Sequence, residues 1–261
     1  MTGESTGRKI WRVVYPILTL FVLYFGVIYG SMMIISSSCA GSGTLDSNME
    51  KYFSIVVAVA LAIIIIVEYF FFKGDAPVQS RLIFQKPKYI GFLILFGAAF
   101  GHGLNLLISL FNINGIFDSY EAVQSEIFAP GIILVIVRAV LLAPIAEELV
   151  FRGLVFRRMR EYTGFWPAAL VSAALFGLYH MNLPQGIYAF LFGIMLAVLY
   201  DRFRNILVPI LVHFAANLLS VILEYTKAEY PNTAIYIVAM AASFAVAVLL
   251  YLFIFRKADK Q

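Results

Sequence analysis

The hydrophobic positions of this chain form long uninterrupted stretches, unlike the one-sided pattern of a soluble helix or the alternation of a half-buried strand. A helix that crosses a bilayer needs about 20 mostly apolar residues, and eight stretches approach or exceed that length. In chain order they are Val13–Ile35, Tyr52–Phe72, Tyr89–Phe111, Gly131–Val155, Phe165–His180, Gly186–Tyr200, Ile206–Leu223 and Thr233–Phe255. The pattern predicts an all-α polytopic membrane protein with a bundle of eight transmembrane helices, of which the fifth and sixth are short.

The basic residues lie in alternate connections between these stretches. Of the 19 Lys and Arg residues, all but four lie at the N-terminus, in the second, fourth and sixth connections, or in the C-terminal tail. The four exceptions are Lys51 and Lys227 in the other connections, and Arg138 and Arg152 inside the fourth stretch. Because cytoplasmic loops carry the excess of Lys and Arg, we expect both termini to be cytoplasmic. The expected location is the cytoplasmic membrane.

The composition excludes several classes of protein. Hydrophobic residues make up 62% of the 261 residues and charged residues 13%, whereas a soluble domain carries about 25% charged residues. The chain is also too apolar to be disordered. The net charge of +4 does not indicate nucleic-acid binding, because the basic residues are spread between apolar runs. The single cysteine, Cys39, excludes an intrachain disulfide and a Cys-based zinc site.

Ionisable side chains inside the apolar stretches are costly to bury, so each is a candidate functional residue. Three of them have simpler interpretations. Glu68 is expected to reach water at the cytoplasmic boundary near Lys73, and Arg138 is expected to extend to the outer interface. His102, flanked by two glycines, is expected to be a packed histidine with one hydrogen bond. The remaining residues are Glu147, Glu148, Arg152, His180 and His213.

The fourth stretch contains two adjacent acids, Glu147 and Glu148, followed by Arg152. Glu148 and Arg152 are four positions apart with the acid first, which is the favourable order for an ion pair on a helix face. Glu147 is rotated by about 100° from Glu148, and the residue four positions after it is Phe. Pro144, just upstream, is expected to kink or loosen the helix. The pattern predicts a structural ion pair beside a carboxylate that is available as a general base.

Two further stretches carry the other polar groups. Phe176 and His180 are four positions apart in the fifth stretch, and His213 and Asn217 are four apart in the seventh. A histidine and an amide on one helix face can stabilise an oxyanion. We expect Glu147, His180, His213 and Asn217 to converge on an active site. The competing interpretation is a polar network that only fixes helix packing.

The three motifs, Glu147-Glu148-x-x-x-Arg152, Phe176-x-x-x-His180 and His213-x-x-x-Asn217, resemble a known family. This is the CAAX-processing and bacteriocin-processing (CPBP, or Abi) intramembrane endopeptidases, which include type II CAAX prenyl endopeptidase-like and lysostaphin resistance protein A-like proteins. The resemblance divides the chain into helices 1–3 (1–130), a catalytic core of helices 4–7 (131–223), and helix 8 with a basic tail (224–261).

The resemblance implies a role for each motif residue. Glu147 with His180 would activate water, His213 with Asn217 would stabilise the oxyanion, and Glu148 with Arg152 would hold the site in place. The expected cofactor is none, since no His-Glu-x-x-His segment is present. The alternative is a zinc ion bound by Glu147, His180 and His213.

The function predicted from these residues is hydrolysis of a peptide bond in a membrane-associated peptide or a lipid-anchored protein precursor. The alternatives are a non-catalytic membrane immunity or scaffold protein of the same fold and, less favoured, a proton-coupled transporter. Expected partners are the peptide substrate and membrane lipid, with no nucleic acid. The sequence does not specify the oligomeric state or the substrate.

Overall fold

The computed structural model describes residues 4–39, 45–75, 87–111, 128 and 131–258 of the chain. Within these ranges the backbone is helical apart from short connections, as the long apolar stretches predict. Seven of the helices are α1 (Thr6–Cys39), α2 (Leu45–Gly74), α3 (Pro87–Leu110), α5 (Phe165–Tyr179), α6 (Leu183–Phe203), α7 (Leu207–Thr226) and α8 (Thr233–Ala258).

The helix that carries the two acids, α4, is continuous over 132–162 but changes its winding along its length. Its segments are α-helical at Ile132–Val135, π-helical at Ile136–Leu142, α-helical at Ala143–Glu148, π-helical at Leu149–Phe156 and α-helical at Arg157–Tyr162. π-helical turns occur mostly as short insertions, frequently at functional sites. The two π-helical segments that flank the acids therefore mark α4 as a candidate functional helix.

Six helices of the described chain are long and apolar enough to cross a membrane, so the protein is an integral, multi-pass membrane protein. These spans are Thr6–Ser37, Lys51–Gly74, Tyr89–Leu110, Leu183–Phe203, Leu207–Thr226 and Thr233–Ile254. The fifth predicted span is indeed short, at 15 residues in α5, whereas the sixth is longer than predicted, with 21 residues in α6. The count of eight spans and the orientation of the termini stay predictions.

The described chain forms two compact units. The first contains α1, α2, α4 and the start of α5, up to Ser172. The second contains α3, the remainder of α5, and α6 to α8. The division of the chain into 1–130, 131–223 and 224–261 was drawn from the motifs and stays a prediction.

In the first unit, α1, α2 and α4 are tied together at one end by an ion-pair network. Arg158 is 1% exposed, and its guanidinium donates to Asp75 at 2.9 Å and to the hydroxyl of Tyr15 at 2.7 Å. Asp75 also pairs with Arg157 at 3.4 Å. Arg157 and Arg158, two of the basic residues in the connections that the sequence predicts to be cytoplasmic, therefore join helices through Asp75.

In the second unit, α3 and α7 approach each other through glycines of α3. A Cβ atom at Gly101 would lie 2.6 Å from the Cβ of Ala216, which is closer than real side chains come. A Cβ at Gly103 would lie 3.2 Å from the ring of Phe244 on α8. The close packing predicted for the glycine-flanked stretch around His102 is confirmed. Buried apolar side chains of α3, α6, α7 and α8 form the core around this crossing.

Candidate active site

The two adjacent acids of α4 are both removed from solvent. Glu148 and Arg152 are each 0% exposed and Glu147 is 7% exposed. Arg152 donates from Nη1 to Oε1 of Glu148 at 2.9 Å, so the ion pair predicted from the spacing is confirmed. Burial of both partners keeps this pair from exchanging with water, and it fixes the helix turn that follows Glu147.

The backbone around the acids explains how Pro144 acts. Pro144 has no N–H, and its ring excludes a normal α-helical carbonyl position four residues earlier. The helix widens just before it, where the N–H of Ala143 donates to the carbonyl of Arg138, five residues back. The predicted loosening therefore takes the form of π-helical turns, and the chain continues as one helix instead of breaking.

The second π-helical segment, Leu149–Phe156, is held by two neighbours that the sequence analysis did not single out. Ser172 on α5, itself buried, donates its hydroxyl to the carbonyl of Phe151 at 2.7 Å. Gly153 faces Phe72 of α2, where a Cβ atom would lie 3.0 Å from the ring. The sequence could have indicated Ser172, because it is a hydroxyl residue within an otherwise apolar helix. No feature of the sequence predicts the close approach of Phe72 to Gly153.

Two charged residues of the first unit lie where the sequence did not place them. Arg138 is 8% exposed, so the expectation that it extends to the outer surface is wrong. Glu68 is 0% exposed, and within the described residues neither of its carboxylate oxygens has a hydrogen-bond partner. The expectation that Glu68 reaches water is therefore wrong as well. In both cases neighbouring helices cover a side chain that position along the chain alone would expose.

In the second unit, His180 lies at the end of α5, directly after its last residue, Tyr179. The helix stops because Met181 takes a left-handed conformation, with φ of 52°, and Asn182 begins α6 by accepting a hydrogen bond from the N–H of Gln185. The turn is pinned by the crossing of α5 and α6, where a Cβ on Gly177 would lie 2.6 Å from the carbonyl oxygen of Gly186.

The hydrogen bond of the His180 ring determines its chemistry. Nδ1 lies 2.8 Å from the carbonyl oxygen of Phe176. A carbonyl can only accept, so Nδ1 carries the hydrogen, and in the neutral ring the lone pair is on Nε2. His180 is partly exposed. The ring is therefore set as a proton acceptor, or as a ligand, through Nε2.

The rings of His180 and His213 both pack against Phe176. The centroid of the Phe176 ring lies 4.9 Å from that of His180 and 5.8 Å from that of His213. In both contacts the two ring planes are roughly perpendicular. Phe192 makes a similar contact with His213 at 5.5 Å. The Phe of the second motif thus has a physical role that its spacing did not reveal, because it positions two histidines of different helices.

His213 and Asn217 lie on the same side of α7, four residues apart. His213 is 4% exposed and Asn217 is partly exposed. A largely buried imidazole and a partly exposed amide therefore share one face of α7, and their joint role stays a prediction.

His102 is set apart from these groups. Its Nε2 lies 2.7 Å from the hydroxyl of Tyr230, and the two rings stack with centroids 6.3 Å apart. The prediction of a packed histidine with a hydrogen bond is confirmed.

The predicted site residues fall into two groups, one in each unit. Glu147, Glu148 and Arg152 belong to the first unit, and Phe176, His180, His213 and Asn217 belong to the second. Their convergence on one active site stays a prediction. Within either unit, the described residues include no group of three or more His, Cys, Asp or Glu side chains that could hold a metal ion.

The comparisons with known proteins agree with the motifs. The family model for "Type II CAAX prenyl endopeptidase Rce1-like" matches residues 129–219, a range that includes all three motifs. The "Putative membrane peptidase YdiL" of Bacillus subtilis (strain 168) is 27% identical over 228 residues, which cover 83% of this chain and 89% of that protein.

A second relative covers a shorter region. The "Uncharacterized 24.3 kDa protein" of Escherichia coli is 32% identical over 111 residues, which cover 39% of this chain and 51% of that protein. No solved structure matches the chain significantly. The family model spans the part of the chain that holds the candidate catalytic residues, and YdiL extends the similarity over most of the remainder. The chain is therefore similar, across its three motifs, to the CAAX-processing and bacteriocin-processing family of membrane endopeptidases.

Proposed function

We propose that this protein is an intramembrane endopeptidase that hydrolyses a peptide bond in a membrane-associated peptide or a lipid-anchored protein precursor. The observation that carries the proposal is the arrangement of the acids in α4. One carboxylate, Glu148, is neutralised by Arg152 at 2.9 Å, while its neighbour Glu147 is almost fully buried beside that pair. A buried pair that only stabilised the fold would not require a second acid next to it.

In the proposed reaction, Glu147 takes a proton from water while the water oxygen bonds to the carbonyl carbon of the substrate. His180, whose Nδ1 is fixed on the Phe176 carbonyl, orients the water through Nε2. The C=O electron pair moves onto the oxygen. The proton then passes from Glu147 to the amide nitrogen, the C–N bond breaks, and a carboxylic acid and an amine are released.

His213 and Asn217 would donate to the oxygen that becomes negative in the tetrahedral intermediate. The two side chains share one face of α7, and His213 is held by two aromatic rings, so they are oriented before the charge develops. Donors that need no reorganisation are what make an oxyanion site effective. Glu148 and Arg152 act as positioning residues that hold the turn next to Glu147.

The proposed reaction uses no metal. The alternative is a zinc ion on Glu147, His180 and His213, and Nε2 of His180 has the lone pair that such a ligand needs. Prolonged treatment of the purified protein with a strong chelator separates the two. Full retention of activity supports the metal-free mechanism, and loss that added Zn²⁺ restores supports the metal mechanism.

The central experiment measures peptide cleavage by the full-length protein in proteoliposomes, with mass spectrometry of the products of a peptide library. The change from Glu147 to Gln keeps the size of the side chain and removes the base, so we expect cleavage to fall by roughly 10²- to 10⁴-fold. Glu224→Gln, at an exposed acid of α7, is the matched control. Equal cleavage by wild type and Glu147→Gln would show that the proposed base is wrong.

The convergence of the two groups of residues needs a separate test. If Glu147 and His180 activate one water, the variant that lacks both loses little more activity than either single variant, because residues that act as a unit are not additive. Independent, multiplicative losses would argue against a common site. If wild type cleaves nothing and Glu147→Gln preserves the biological effect of the protein, the immunity or scaffold function is favoured instead.

A further inference from the structure

Glu68 of α2 is a buried acid that the proposed reaction does not use. It is 0% exposed, and within the described residues neither of its carboxylate oxygens has a hydrogen-bond partner. A buried polar group without a partner costs stability, so Glu68 is not explained by a role in holding the fold together. An ionisable residue inside a membrane helix is a candidate for lining a path of water, ions or substrate.

The neighbours of Glu68 along α2 show which way its side chain points. Phe71, three residues later, packs its ring against Tyr15 of α1, with centroids 5.0 Å apart. Phe72, four residues later, faces Gly153 of α4, where a Cβ atom would lie 3.0 Å from the Phe72 ring. Residues three and four positions on flank one direction on a helix. Glu68 therefore points into the space enclosed by α1, α2 and α4, which we call the three-helix seam.

One end of the three-helix seam lies at the membrane boundary, at the ion-pair network of Asp75. Asp75 directly follows Gly74, the last residue of the membrane span of α2, and comes seven residues after Glu68, which corresponds to about 10 Å of helix. Asp75 pairs with Arg158 of α4 at 2.9 Å and with Arg12 of α1 at 3.7 Å. The side chain of Arg12 is 26% exposed. Polar groups from all three helices therefore line a solvent-facing entrance, and Glu68 lies about 10 Å inside it.

Glu68 is also at about the level of the acids of α4. The contacts at Gly153 and Arg158 each join a residue of α2 to one about 80 positions later in α4, in the same order along both helices, so the two helices run parallel. The same offset sets Glu68 about level with Leu149, the residue after Glu148. α2 packs against α4 over the turn that holds the acids and over both π-helical segments.

Water is the ligand that suits this position. Burial keeps Glu68 from bulk solvent and from a peptide, but an enclosed water molecule needs only two to four polar partners, and it commonly satisfies buried groups that have no other. The next buried residues on this face of α2, Ile64 and Leu61, are apolar, so the polar lining ends at Glu68. A hydrolase with its base in a membrane helix consumes one water for each bond cut, and lipid does not supply it.

We propose that Glu68 binds water within the three-helix seam and forms the inner end of a water route from the Asp75 entrance to the acids of α4. This inference rests on the proposed peptidase function and names how its second substrate, water, reaches the site. Glu68 is a positioning residue in this route, because it holds water and contacts neither the peptide nor the bond that is cut.

Hydrogen–deuterium exchange of the full-length protein in proteoliposomes tests the route without a peptide. In wild type we expect amides of α2 between Glu68 and Gly74 to exchange at least about 10-fold faster than those around Leu61 and Ile64, because only the first group lies along the water route. Glu68→Met, of similar size but apolar, should slow exchange near position 68 and in the facing segment of α4. Ile64→Met places the same side chain one turn deeper on the same face and should leave exchange near position 68 unchanged.

Cleavage kinetics test whether the route serves the reaction. Glu68→Met should lower kcat by roughly 10-fold, the equivalent of one lost hydrogen bond, and should leave KM for the peptide unchanged because no peptide contact is removed. Glu68→Gln keeps a hydrogen-bonding side chain and should retain most of kcat. Ile64→Met is again the control and should cleave like wild type.

The outcomes distinguish this inference from the proposed function. Equal protection of both parts of α2 in wild type would overturn the inference, as would an unchanged kcat in Glu68→Met or an equal loss of kcat in Glu68→Gln and Glu68→Met. If Glu68→Met does not fold, Glu68→Leu and the wild-type exchange profile decide. Absence of Glu147-dependent cleavage in wild type would reject the proposed function, and exchange would still decide whether water enters the three-helix seam.

Discussion

The two halves of the candidate site are held in place by different physical means. In α4 the acid Glu148 is held by charge, through a fully buried ion pair of 2.9 Å with Arg152 on the same helix. In the second unit the rings of His180 and His213 are held by packing against Phe176 and Phe192. His180 is also held by one hydrogen bond to a backbone carbonyl. A local pair can be recognised from spacing in the sequence, whereas ring packing between helices depends on the fold.

This difference predicts that the charged half is the more sensitive to loss of one partner. Glu148→Gln leaves Arg152 without its carboxylate in a site that water does not reach, so we expect a loss of stability of about 3 to 5 kcal/mol. Thermal unfolding of the purified protein in detergent measures the change. Restoring charge balance in Glu148→Gln/Arg152→Met should recover part of the loss.

A matched pair on the surface is the control for that prediction. Arg204 and Asp201 are 3.1 Å apart, but their side chains are 39% and 24% exposed, so Asp201→Asn should cost less than about 1 kcal/mol. If Glu148→Gln cost no more than Asp201→Asn, burial of the α4 pair would have no energetic consequence and the contrast between the halves would fail.

The half that is ordered by ring packing should respond through activity more than through stability. Phe176→Leu keeps an apolar side chain but removes the ring contacts to both histidines, so we expect about 1 to 3 kcal/mol of destabilisation. If the two histidines act as proposed, their misplacement should lower kcat by roughly 10²-fold. Phe192→Leu removes the ring contact to His213, along with those to Phe100 and Tyr188, but no ring contact to His180, so it should lower kcat less. Equal effects of the two variants would show that Phe176 does not position His180.

The smallest expected effect lies outside both halves, at the N-terminus. The hydrogen bond from Tyr162, with help from the charge of Arg12, lowers the pKa of Glu4 below its ordinary value of 4.5. A lowered pKa in the folded state adds stability that is present above pH 4.5 and is lost as the pH falls through the lowered value. Tm should therefore drop slightly more in wild type than in Glu4→Gln as the pH is lowered from about 6 to about 3, because only the wild-type carboxylate is protonated there. An equal drop in both would show that the contact does not stabilise the fold.

How far the sequence predicted the site can be judged from individual residues. The ion pair of Glu148 with Arg152 followed from the i, i+4 rule because both partners lie on one helix. The loosening at Pro144 followed from the missing N–H, although its form as π-helical turns did not, since that depends on neighbours such as Ser172 and Gly153. The packed state of His102 followed from its flanking glycines.

Three residues show why the remainder was not predictable. Glu68 and Arg138 were assigned to the boundaries from their distance along the chain, but whether a side chain near a helix end reaches water or lipid depends on which helix covers it. Both are covered. Phe176 was recognised only as part of a motif, because its contact with His213 joins residues that are 37 positions apart.

The sequence by itself determined that the protein is a multi-pass membrane protein, and it identified which polar residues are the candidates for chemistry. Burial of charge in an apolar chain is so costly that each exception is visible without a structure. Only the tertiary structure decided which of those charges are enclosed, which tautomer His180 takes, and what orders the histidine rings. Those properties depend on contacts between helices, and the one-dimensional pattern of apolar residues specifies that helices pack but not which faces meet.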